Sequence, residues 1–128
     1  MLASYDYAVV RLVPRVEREE FLNVGVILFC RTRRYLGARV GLNRALAALF
    51  AGEATVPWIE QHLDLLSRIT AGGEGAGPIG QLSTAERFHW LVAPSSTIIQ
   101  TSAVHCGLCS APEEALDHLF DVMVGSHP

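Results

Sequence analysis

Arg18, Glu20 and Asn23 stand close together just ahead of an almost unbroken apolar run from Val24 to Cys30. A guanidinium, a carboxylate and an amide at the mouth of a buried strand are groups that hold a polar or anionic ligand through charge-assisted hydrogen bonds. An unpaired amide at such a position costs about 1–3 kcal/mol, so Asn23 must have a partner. Two readings stay open. In one, Asn23 ties down the start of the strand, and Gly25 leaves room for a crossing side chain such as Trp58 or Trp90. In the other, Arg18, Glu20 and Asn23 form a binding notch shared with residues 95–100. Arg87, Ser96, Thr97 and Gln100 then complete it, offering hydroxyls and amides to a phosphate or carboxylate. The chain has neither the Gly-rich run nor the lysine of a P-loop, and a turn leading into a strand accounts for the same Ser and Thr residues.

Arg31, Arg33 and Arg34 make a second cluster, a cationic tip of the kind that grips a nucleic-acid backbone or an acidic partner. No aromatic platform is interleaved with them, so nucleic acid is not expected and docking of a partner protein is the use assigned, with plain solubility as the simpler account. His105-Cys106-Gly107-Leu108-Cys109 contains a CxxC that, with Cys30 and His105, would make a Cys3His zinc set. No second ligand pair accompanies it and Cys30 falls within an apolar strand, so no metal and no cofactor are expected. His62, His89, His118 and His127 share no metal-ligand spacing. Glu17, Glu19 and Glu20 would serve as an acid/base pair only if they converged, and adjacent residues on a strand point apart. No nucleophile signature is present and no catalytic residue is assigned.

These residues must be positioned by one small domain. The chain has 128 residues, half of them hydrophobic, which is enough for one core and too few for two ordinary ones. Its net charge of −3 provides no overall field for nucleic acid or an acidic membrane. Every basic residue is arginine, so no lysine is at hand as a Schiff-base former. No apolar run reaches the roughly 20 residues of a membrane helix, and three cysteines fit a reducing compartment. A cytoplasmic protein is expected.

Alternation over residues 5–13 predicts a first strand, with Ala8, Val10 and Leu12 on one face and Tyr5, Tyr7, Val9, Arg11 and Val13 on the other. Residues 21–30 predict a central strand, with Leu22, Val24, Val26, Leu28 and Cys30 on one face and Asn23, Gly25, Ile27 and Phe29 on the other. A third strand over 35–40 makes a hairpin whose tip is 31–34. Helical periodicity follows after Asn43 and again after Thr55, with Pro57 in the first turn. Five glycines between 71 and 80 predict a flexible loop. Ser83 and Glu86 make a capping box for a short helix, residues 98–105 are extended, and Ser110 with Glu113 is expected to cap a last helix. The fold class is α+β, a single layer of mainly antiparallel sheet with about four strands packed against about four helices.

The runs Tyr5-Asp6-Tyr7-Ala8-Val9-Val10-Arg11, Arg18-x-Glu20-x-x-Asn23-Val24-Gly25-Val26 and Arg87-Phe88-x-Trp90-x-x-Ala93-Pro94-x-Ser96-Thr97-Ile98-Ile99-Gln100-x-Ser102 resemble a bacterial domain-of-unknown-function family, number three-zero-three-seven. The resemblance implies a small stand-alone protein of a kind often encoded beside a HipA-like serine/threonine kinase, with no agreed activity, and a family position at Cys106 that often lacks a thiol. On this footing the expected function is a non-catalytic accessory or regulatory module with a HipA-like kinase as its partner, and a homodimer as a further option. The alternative is a small ligand-binding protein or enzyme acting on a phosphorylated metabolite or nucleic acid.

Overall fold

β-Branched and aromatic residues are concentrated in three segments of the first forty positions and favour extended pairing there, and an antiparallel meander results. The computed structural model describes residues 1–94 and 97–125, with Val16 through its backbone alone. Strand β1 (Ala3–Leu12) pairs with β2 (Leu22–Cys30), and β2 pairs with β3 (Tyr35–Val40). Helices α1 (Arg44–Ala51) and α2 (Val56–Ala71) follow, then 3-10 turns over Glu74–Gln81 and helix α3 (Thr84–Val92). Strands β4 (Ile99–Thr101) and β5 (His105–Cys109) lead to α4 (Pro112–Met123). The sheet is antiparallel, in the order β3-β2-β1-β4, with β5 also on β1.

The α+β class is as expected, with five strands in place of about four, and helices cover both faces of the sheet, as the apolar run of the central strand requires. On one face, Val10, Leu12, Val24, Ile27 and Phe29 pack against α1, α2 and α3 through Ala47, Ile59, Leu63 and Phe88. On the other, Val26, Leu28 and Cys30 pack against Leu116, Leu119 and Phe120 of α4.

This division departs from simple alternation in β2, and a bulge is the reason. Val10 pairs with Gly25 but Arg11 pairs with Asn23, so Val24 is an extra residue opposite β1. Val24 and Gly25 therefore turn to the same side, and the faces of β2 exchange on either side of them. Leu22 and Val24 belong with Ile27 and Phe29, while Asn23 shares the α4 side with Val26. Gly25 is required here by close approach of its neighbours. A Cβ would lie 2.9 Å from the carbonyl oxygen of Arg39 and 2.9 Å from Cγ1 of Val40. Neither Trp58 nor Trp90 crosses it: the atoms nearest a Gly25 Cβ belong to Arg39, Val40 and Val10, and both tryptophans stand partly exposed at the surface.

The extended run over 98–105 divides at Ser102. The Ser102 amide donates to the Val9 carbonyl at 2.8 Å, and its buried hydroxyl accepts the Val9 amide at 2.9 Å. A side chain thus takes the place of the next ladder carbonyl, and the chain leaves β1 before returning as β5. At α3 the capping box forms as expected: Ser83 Oγ accepts the Glu86 amide and Glu86 Oε1 accepts the Ser83 amide, each at 3.2 Å. At α4 it does not. Ala111 is the cap residue, without a side-chain bond, and Pro112 opens the helix by fixing φ where no amide is needed. The glycine-rich segment is closed on itself, with the Gly73 amide donating to the Gly80 carbonyl at 2.9 Å.

Candidate functional site

Arg18 and Glu20 flank Glu19, whose positive φ of 55° reverses the chain between them. The turn brings Arg18 Nε to 2.6 Å from Glu20 Oε1, at the edge of a shallow cleft that also touches Pro14, Arg15, Leu49 and Phe50. Both side chains are at least half exposed, so the pair contributes at most about 1 kcal/mol. Asn23 is not part of this cluster. Its Nδ2 donates at 3.0 Å to the carbonyl of Met123, at the end of α4.

The residues expected to complete the notch are distributed as well. Thr97 Oγ1 donates to the Ile99 carbonyl at 2.6 Å and Gln100 Nε2 to the Thr97 carbonyl at 2.9 Å, a turn that leads into β4. Ser96 lies outside the described residues. Arg87 points elsewhere, to the base of the glycine-rich segment. It donates to the Leu82 carbonyl at 2.6 Å and to the Thr70 carbonyl at 3.5 Å. Thr70 lies in the last turn of α2, whose carbonyls have no partner within the helix and favour a nearby cation. The guanidinium lies against Gly72, where a Cβ would come within 3.0 Å of Arg87 Cζ and where φ is +77°.

At the hairpin tip, Arg33 donates to the carbonyls of Ser110 and Met1 at 3.1 and 2.9 Å, which holds the tip to the start of the chain and to the link before α4. Arg34 has φ 52° and closes the turn onto the Arg31 carbonyl. Arg31 and Arg34 are exposed, and the Arg31 guanidinium lies 5.5 Å from the Phe29 ring centre.

The three cysteines are free. Three residues apart on one strand, Cys106 and Cys109 point to opposite faces, one exposed and one buried. The hydrogen bond from Cys106 Sγ to Asp6 Oδ1 raises the thiol above its ordinary pKa, and burial does the same first for Cys109. Among the described residues no three His, Cys, Asp or Glu side chains are grouped to hold a metal ion.

Two features escaped the sequence reading. The first is a cleft of about 320 Å³ between α2, α3 and β4, walled by Leu65, Leu66, Ile69, Trp90 and Leu91, with Thr97 and Gln100 on its border. His62 stands in it with its ring stacked on Trp58, the centroids 4.5 Å apart. Trp90 and Leu65 leave 48% and 43% of their surface in water. The second is a polar row across the end of the sheet. Arg11 of β1 lies in register between Asn23 of β2 and Gln100 of β4, on the face opposite Val10 and Leu12. Its guanidinium sits 4.1 Å from the centre of the Phe21 ring. Arg11 Nε and Asn23 Oδ1 are both sealed from solvent without a hydrogen-bond partner. A charge directly after the apolar run Ala8-Val9-Val10 of β1 was the signal for this row, and the bulge that sets Asn23 beside it left no mark beyond Gly25.

An antiparallel sheet between one helix and a group of three, with a solvent-open apolar cleft on the three-helix side, defines a small α+β protein. The chain belongs to the family described as protein of unknown function, DUF3037, whose model matches residues 7–124. No curated protein and no solved structure matches it. Among the described residues, no helix is long and apolar enough to cross a membrane.

Proposed function

We propose that the chain is a non-catalytic accessory or regulatory module that docks a partner protein in the cleft between α2, α3 and β4. The observation that carries this reading is the open apolar wall itself. Trp90 and Leu65 are left 48% and 43% exposed beside a cleft of about 320 Å³ floored by Leu66 and Ile69. Large apolar side chains held in this way are stabilised by covering them, and tryptophan in a pocket is the commonest anchor of a protein interface. The cleft has room for one or two bulky side chains from an amphipathic helix. A HipA-like kinase is the partner to test first, on the strength of the family resemblance. Purified kinase titrated by calorimetry should bind the wild-type protein at micromolar concentration or below, and Trp90→Ala should weaken binding by about ten-fold or more. No complex at micromolar concentrations, or an unchanged affinity in Trp90→Ala, would remove the kinase or the cleft, respectively, from this reading.

A further inference from the structure

Arg11 is held unlike any other arginine of the chain. Arg18, Arg39, Arg44 and Arg68 pair with carboxylates, and Arg33 and Arg87 donate to carbonyls. Arg15, Arg31 and Arg34 lie in solvent. Arg11 is half-buried, yet no carboxylate or carbonyl among the described residues accepts from it. The Phe21 ring fixes its plane, and the Met123 carbonyl is already taken by Asn23.

We propose that Arg11, stacked on Phe21 and flanked in register by Asn23 and Gln100, is a binding site for an organic carboxylate. Nε is sealed, so the terminal nitrogens are the part that meets a ligand, and two parallel N–H donors match the two oxygens of a planar carboxylate. The charge selects a monoanion. One guanidinium faces the site, the Asn23 and Gln100 amides each give one of their two N–H donors within the chain and carry no charge, and the chain has no lysine to add. A phosphate, carrying about 1.5 to 2 negative charges, asks for more positive charge than this. Phe21, 48% exposed, offers an apolar edge to the body of the ligand. A guanidinium already oriented by its ring loses little freedom on binding. Arg11 projects to the α4 face and the cleft lies on the α2–α3 face, so Arg11 and Phe21 take no part in the docking proposal and Gln100 alone borders both sites.

The test is a titration of the wild-type protein at constant ionic strength with benzoate, benzamide and inorganic phosphate, following the Arg11 Nε–Hε resonance. Benzoate should give a saturable shift, the neutral isostere benzamide none, and phosphate should bind several-fold more weakly. Arg11→Gln should weaken benzoate binding by about ten-fold or more, and Arg11→Lys, which keeps the charge and loses the fork, by less. A non-saturating response, an equal response to benzamide, phosphate binding as tight as benzoate, or wild-type affinity in Arg11→Gln would each overturn the assignment. Should Arg11→Gln fail to fold, the three ligands on the wild-type protein still decide it.

Discussion

Arg87 and Arg11 are both half-buried, and each has an Nε sealed from water with no acceptor, but the two are otherwise placed very differently. The other two nitrogens of Arg87 hold the Leu82 and Thr70 carbonyls, so it joins the end of α2 to the start of α3 across the glycine-rich segment. Arg11 holds no part of the chain and rests on an aromatic ring. The contrast separates a charge that organises the fold from one that the fold merely orients. The residue type says nothing about which is which; the carbonyls within reach decide it.

Four perturbations sharpen or break this contrast. The largest effect is expected from Gly25→Val, which presses a branched side chain on the Arg39 carbonyl and Val40 and strains the bulge that sets Asn23 beside Arg11. Urea unfolding should show a loss of about 1–3 kcal/mol, and the Asn23 and Arg11 side-chain resonances should move together. Ser83→Ala removes the cap of the helix that carries Arg87 and should lower stability by about 1 kcal/mol without touching the Arg11 resonance. Phe21→Ala should lower stability by about 0.5–1 kcal/mol and release the Arg11 guanidinium, seen as a loss of the ring-current shift on its Nε–Hε proton.

The smallest effect is one of pH. Hydrogen bonds from the Ser83 hydroxyl and amide hold the Glu86 carboxyl below its ordinary pKa. A depressed folded value means that the contribution is present above the unfolded pKa of about 4.3 and is lost as pH falls through the folded value. The stability difference between wild type and Ser83→Ala should therefore be constant near neutrality and shrink on acidification below that point. A difference that grows on acidification would show that the carboxylate is not what the cap holds.

Much of the frame was legible in the sequence because local chemistry imposes it. Alternation placed β1, β2 and β3, Asn43 and Pro57 marked the first two helices, and Ser83 with Glu86 marked the third. What was not legible depends on partners far along the chain. The need of Asn23 for a partner could be read, but the partner is Met123, a hundred residues on. The exchange of faces in β2 depends on pairing with Val10 and Arg11, and the break at Ser102 on its hydroxyl reaching Val9. β5 is short and mostly exposed, so its five residues read as a cysteine motif before they read as a strand. The grouping of Arg18, Glu20, Asn23 and Arg87 assumed that sequence proximity and polarity imply convergence. Arg18 and Glu20 pair with each other, while Asn23 donates to a carbonyl at the end of α4 and Arg87 to the Leu82 carbonyl.

The central contrast is tested most directly by urea unfolding of Arg87→Met and Arg11→Met side by side, since methionine keeps most of the volume and removes the charge. Arg87→Met leaves two carbonyls without their charged donor and should lose about 2–3 kcal/mol. Arg11→Met should lose no more than about 1 kcal/mol, or gain stability, because no bond within the chain is broken. A loss in Arg11→Met equal to that in Arg87→Met would contradict the account.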